Sequence, residues 1–209
     1  MLKQIFTNLT NAYNKDLSSK YWSEVVINYC DAGRYYHTLD HIEGMYKELL
    51  AVKGDIEDWD TILFALFYHD IVYNTQRNNN EAESAELAKS RLSALMYSPE
   101  KINRCVIHIL ATKGHCVAKD NDTNLFTDAD LTILGSPADL YKSYTEKIRK
   151  EYIFYPDKVY NGGRNKVLQH FLNMPRIYKT EHFYDKYEKQ ARENLSNEIN
   201  FMANQIQFK

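Results

Sequence analysis

From His37 to Leu50 the apolar positions Ile42, Met45, Leu49 and Leu50 recur at three- and four-residue steps, with Glu43, Lys47 and Glu48 between them. That spacing predicts an amphipathic helix. Thr61 to Tyr73 is apolar nearly all round until its end, which predicts a helix through the middle of a core with Asp60 as its N-cap. A polar stretch at 74–80 breaks the pattern, and Ala85, Leu87, Ala88, Leu92 and Leu95 resume it over Glu81–Leu95. Pro99 suits the first turn of a helix through Ile102, Val106, Ile109 and Leu110 that ends near Gly114 and leaves His115 just past its end. Residues 119–124 read as a loop, 126–135 as a short apolar-acidic element stopped by Gly135, and Pro137 opens a helix through Leu140, Tyr144 and Ile148. Further helices are predicted near 160–173 and 181–206. The β-branched residues of 24–29 would suit a short strand, yet no partner strand with matching alternation follows. The chain is therefore predicted to be all-α.

Composition supports that reading, because 7 Gly and 4 Pro against 17 Tyr and 9 Phe give little turn punctuation and many large side chains. Hydrophobic residues at 44% and charged residues at 26% suit a globular core, and 209 residues suit one domain with a helical extension. A net charge of −2 removes a global positive field for nucleic acid or an anionic membrane. No zinc finger, glycine-rich phosphate loop or basic run speaks for a nucleic acid polymer. No stretch approaches the ~20 apolar residues of a membrane span, and the first residues lack the apolar run of a signal peptide. Cys30, Cys105 and Cys116 are odd in number and widely spaced, which fits a reduced compartment. A cytoplasmic protein is expected.

Among 7 histidines, His69 is followed at once by Asp70 at the end of the most apolar segment. The dipeptide alone is a weak signal, but ionisable groups beside a core helix are costly to bury unless they bind a metal or each other. His37 and His41 are four residues apart and are expected to share one helix face. If that face meets the end of the central helix, two or three imidazoles and a carboxylate make a mixed N/O set suited to a divalent transition metal. Asp128 and Asp130, amid Phe126, Ala129, Leu131 and Ile133, are candidates to close the shell.

In that order, a His, a His-Asp pair and a later Asp, the sequence resembles the HD-domain metal-dependent phosphohydrolases. RYYHTLDHI (34–42), LFYHDIVY (66–73), NEAESA (80–85), ILATKGH (109–115) and DADLTILG (128–135) look like the words of an uncharacterised bacterial family of predicted HD phosphohydrolases. The likeness continues through IRKEY (148–152), Gly163-Arg164 and ARENL (191–195). It implies an HD-type helical bundle, with a metal-binding core over about 30–135 and a C-terminal helical extension over about 136–209. Tyr36-His37-x-x-x-His41 has the spacing of cyclic-nucleotide phosphodiesterases, where the first His donates a proton and the second is a ligand. The implied ligands are His41, His69, Asp70 and Asp130, holding Mn, Fe, Zn, Ni, Co or Mg. The R-x-x-H-T-L pattern of many HD proteins would instead make His37 the first ligand.

The resemblance implies metal-assisted hydrolysis of a small phosphate ester or anhydride, a nucleotide among the options. Asp70 or Asp130 would take the water proton, His37 or His115 would protonate the leaving group, and Glu81 would orient water. Arg34, Lys113, Arg149 and Arg164 are candidate phosphate clamps. Two rivals stay open: an HD-type di-iron oxygenase recruiting His108 and His115, and a non-catalytic nucleotide- or metal-binding helical module. The stripe Phe183, Tyr187, Ala191, Leu195, Ile199 and Met202 suits packing on its own domain or pairing in a homo-oligomer.

Overall fold

The computed structural model describes residues 1–207. Among the described residues there are ten α-helices and two 3-10 turns, and no strand. The chain is all-α, as the hydrophobic pattern predicts. It divides into two compact units, Met1–Thr127 and Asp128–Lys209, a boundary somewhat earlier than the expected start of the C-terminal extension.

The first unit holds α1 (Leu2–Asn11), α2 (Lys15–Tyr29), α3 (Leu39–Ala51), a 3-10 turn (Lys53–Asp55), α4 (Trp59–Tyr68), α5 (Asn80–Ala94), α6 (Pro99–Ala111) and the start of α7 (Asn121–Asp130). The β-branched residues of 24–29 are the last turns of α2 rather than a strand, with Val25 and Tyr29 turned into the core. Helix α4 is the axis of the unit: every residue from Thr61 to Tyr68 is buried, and α1, α3, α5 and α6 pack around it. Its N-cap is Asp58, not the expected Asp60. The Asp58 carboxylate accepts the Thr61 amide and hydroxyl, while Asp122 accepts the amides of Glu57 and Asp58 at 2.8 and 2.9 Å. The entry to the core helix is thus pinned by two buried carboxylates, Asp58 capping the helix and Asp122 holding the amides just before it.

Of residues 119–124, expected as loop, 121–124 instead open α7, because the Asp120 carboxylate caps it by accepting the Thr123 amide and hydroxyl at 3.0 and 2.7 Å. Helix α7 runs from the first unit into the second, which contains Asp128–Asp130, a 3-10 turn (Leu131–Gly135), α8 (Ala138–Glu151), α9 (Asp157–Leu172) and α10 (Glu181–Gln207). Helix α10 packs on the 3-10 turn and on α9, and its stripe is buried at Phe183, Ala191 and Leu195. Gly135 permits that approach, since a Cβ there would lie 2.6 Å from the Tyr187 carbonyl oxygen.

Candidate metal centre

Helix α4 ends at Tyr68, so His69 is its C-cap and Asp70 stands in the turn beyond, although the apolar run continues to Tyr73. Helix α3 begins after Thr38, whose hydroxyl accepts the Asp40 amide. His37 therefore precedes the helix and His41 lies in its first turn, so the two do not share a helix face as their spacing suggested. The turn still brings them together, with ring centroids 5.9 Å apart.

Three imidazoles converge on one carboxylate oxygen. Asp70 Oδ2 lies 3.1 Å from His69 Nε2, 3.9 Å from His41 Nε2 and 4.0 Å from His37 Nε2, and the Nε2 atoms of His41 and His69 are 3.3 Å apart. His41 and His69 are buried, whereas the side chains of His37 and Asp70 keep 19% and 18% exposure, so the cluster has a solvent-facing side. The His37 ring lies against Tyr73 at 4.3 Å. Burial pushes the Asp70 carboxyl pKa up, but attraction from His69, with smaller contributions from His37 and His41, outweighs it and holds the group well below the usual carboxylate range.

The tautomer of His69 follows from its other nitrogen. Nδ1 is 2.9 Å from the Leu66 carbonyl oxygen, which can only accept, so Nδ1 carries a proton and Nε2 is the nitrogen that faces Asp70 Oδ2 and His41. Two imidazole Nε2 atoms this close to each other and to a carboxylate oxygen call for a positive charge among them, either a proton or a cation. Donors about 2.0–2.1 Å from one divalent ion stand roughly 3.0–3.4 Å from each other. Two of the three separations among His41 Nε2, His69 Nε2 and Asp70 Oδ2 fall in that range, and a ligand histidine ordinarily donates its other N–H to a carbonyl as His69 does. The donor chemistry fits a divalent transition metal.

The remaining predicted residues are placed as follows. Asp130 is the half-buried last residue of α7, and Asp128 is fully buried. The Asp128 carboxylate accepts the amides of Lys179 and Thr180 and the Thr180 hydroxyl, and pairs with Lys179 Nζ at 2.9 Å. Glu81, in the first turn of α5, is 3.7 Å from Lys113 Nζ, which also donates to the Asn78 carbonyl oxygen at 2.5 Å. His115 is buried and sits at φ 50°, so the left-handed position after α6 belongs to a histidine rather than to Gly114. Because α6 ends at Ala111, His108 and His115 do not lie on one continuous helix. His108 Nδ1 is engaged with Thr123 Oγ1 at 2.8 Å.

Three of the four expected phosphate clamps serve the fold. Arg34 is buried and turned to main-chain carbonyls. Arg149 holds the carbonyls of Tyr152 and Tyr155 together with Asp157. Arg164 is buried in a two-pronged pair with Glu198, at 2.8 and 3.0 Å. Lys113, with 59% side-chain exposure, is the one that stands mostly in solvent. Nothing in the sequence marks Tyr29, whose hydroxyl accepts the Asp70 amide, or Tyr73, the ring beside His37. Neither residue carries a spacing signal, since both act through tertiary contacts.

Compared with family models, with curated proteins and with solved structures, the chain matches none. No helix among the described residues is long and apolar enough to cross a membrane.

Proposed function

We propose that the chain is a metal-dependent phosphohydrolase of the HD type acting on a small phosphorylated substrate in the cytoplasm. The observation that carries this reading is the meeting of three imidazole Nε2 atoms at Asp70 Oδ2, at the end of the core helix. In the proposal His41, His69 and Asp70 are ligands, and Asp130 joins them on the strength of the sequence resemblance. A divalent ion, when bound, supplies Lewis acidity toward a phosphoryl oxygen and acidifies water.

The chain's own groups do the rest. The Leu66 carbonyl fixes the His69 tautomer so that Nε2 stays a donor to the ion. The second oxygen of Asp70 takes a proton from the attacking water. His37, partly exposed and held against Tyr73 within 4.0 Å of the Asp70 carboxylate, is the group placed to give a proton to the leaving oxygen. Lys113, largely in solvent beside Glu81, offers a cation to phosphate in this reading.

The test is phosphate release from a panel of nucleotides and phosphomonoesters, with wild type, His37→Gln, Asp70→Asn and Asp130→Ala assayed under Mn²⁺, Co²⁺ and Mg²⁺. Turnover is expected from the wild type, with a loss of about 10²-fold or more in the Asp70 and Asp130 variants and a smaller kcat defect in His37→Gln. No release from any member with any ion, or equal release by Asp70→Asn, would sink the hydrolase reading.

A further inference from the structure

Arg34 is an arginine with little to gain from solvent. It is buried, at 8% exposure, and sits between the rings of Tyr29 and Tyr73, 4.9 and 5.2 Å from their centroids. Its Nη1 donates to the carbonyl oxygens of His37 at 3.2 Å and Asp70 at 2.6 Å, and its Nη2 donates to that of Ile71 at 2.9 Å. The Asp70 and Ile71 carbonyls lie just past the C-terminal end of α4, where main-chain oxygens lack helical partners and the dipole favours a cation. The His37 carbonyl belongs to the turn that leads into α3 and His41. One guanidinium therefore joins the two segments that bear the four converging side chains, and it ends α4 where the apolar pattern would have carried the helix on.

We infer that Arg34 is a positioning residue: it holds the His37–His41 segment against the His69–Asp70 turn and so sets the separations on which the metal centre of the proposed function rests. Arg34 could take a phosphate as partner only by releasing three main-chain carbonyls, that of Ile71 in a buried bond and costly to leave unpaired. Tyr29 reinforces the clamp from the other side, since its hydroxyl accepts the Asp70 amide while its ring faces the guanidinium. Lysine is no substitute, because its single ammonium does not present the planar fork that spans these acceptors.

The experiment compares full-length wild type, Arg34→Lys, Arg34→Met and Leu92→Ala. Leu92 is fully buried in α5, and its truncation serves as a destabilised control outside the site. Co²⁺ is titrated into metal-stripped protein by visible absorption, and hydrogen exchange of residues 36–41 and 69–72 is followed without metal. Arg34→Lys is expected to weaken Co²⁺ binding by about 10–100-fold. Exchange in the two segments should accelerate at least about tenfold beyond the Leu92→Ala control, which should keep wild-type affinity. Should Arg34→Met fail to fold, Arg34→Lys still decides. Wild-type affinity in Arg34→Lys, or an affinity loss matched by Leu92→Ala, overturns the positioning role. Wild-type protein that takes up no Co²⁺ overturns the metal reading itself and the positioning role with it, and the exchange data then report on the clamp alone.

Discussion

Lowering the pH from 8 to 5 removes stability through one histidine. His108 is completely buried in α6, where its Nδ1 meets the Thr123 hydroxyl, a group that itself donates to Asp120, and its Nε2 has no partner. Burial pulls its pKa from 6.5 down to about 4, and the nearby carboxylates of Asp120 and Asp122 only partly oppose that. Between pH 6.5 and 4 the unfolded chain binds a proton that the folded one refuses, so unfolding free energy rises with pH across that window. The contribution is intact above pH 6.5, is reduced by about 2 kcal/mol at pH 5, and is down by about 3 kcal/mol below pH 4. Against a total of about 5–15 kcal/mol this is a large fraction. Urea unfolding of wild type and His108→Asn at pH 8 and pH 5 isolates it, because asparagine keeps a donor toward Thr123 but does not titrate. The pH-linked loss should be about 2 kcal/mol smaller in the variant. Identical pH dependence in the two proteins, or a His108 imidazole titrating near 6.5 by NMR, would refute the reasoning.

Three further outcomes follow from other places in the fold. Met96 closes α5 at φ 60°, with its amide donating to Ser93 and the Tyr97 amide to Leu92, so Met96→Gly should raise stability by about 0.5–1 kcal/mol in denaturant unfolding. Gly135→Ala should destabilise by about 1–3 kcal/mol, because α10 backbone occupies the space its methyl needs, and a lowered thermal midpoint reads it out. Asp128→Ala should cost about 3–5 kcal/mol by removing a buried carboxylate from the Lys179 ammonium and leaving the amides of Lys179 and Thr180 without their acceptor, whereas Asp128→Asn should be milder. Chemical denaturation ranks the pair.

Most helices were legible as hydrophobic period, and α5, α8, α9 and α10 fall within a few residues of their predicted spans. The errors share a cause: side chains and main chain meeting across the sequence. Residues 119–124 look like loop because Asp120, Asp122 and Thr123 are polar, yet those groups are spent capping α7, holding the entry to α4 and facing His108. The end of α4 was misplaced because Ile71, Val72 and Tyr73 continue the apolar run, while carbonyls bound to Arg34 turn the chain at His69. The His69-Asp70 pair and the nearness of His37 and His41 could be read from order and spacing. The fork of Arg34 could not, since its three acceptors are main-chain oxygens and any residue supplies those. The helix stop expected near Gly114 falls at Ala111, and the left-handed backbone beyond it belongs to His115, where it carries strain that a glycine would avoid.

Elemental analysis of purified protein tests directly whether His69 and Asp70 hold a divalent ion. Wild type loaded with each of Mn²⁺, Fe²⁺, Co²⁺, Ni²⁺ and Zn²⁺ and then desalted should retain about one ion per chain with at least one of them, and His69→Ala and Asp70→Ala should retain none. Wild type that holds no metal under any loading, or variants that hold as much as wild type, would contradict metal binding there, and two irons per chain would move the chemistry toward oxygenation.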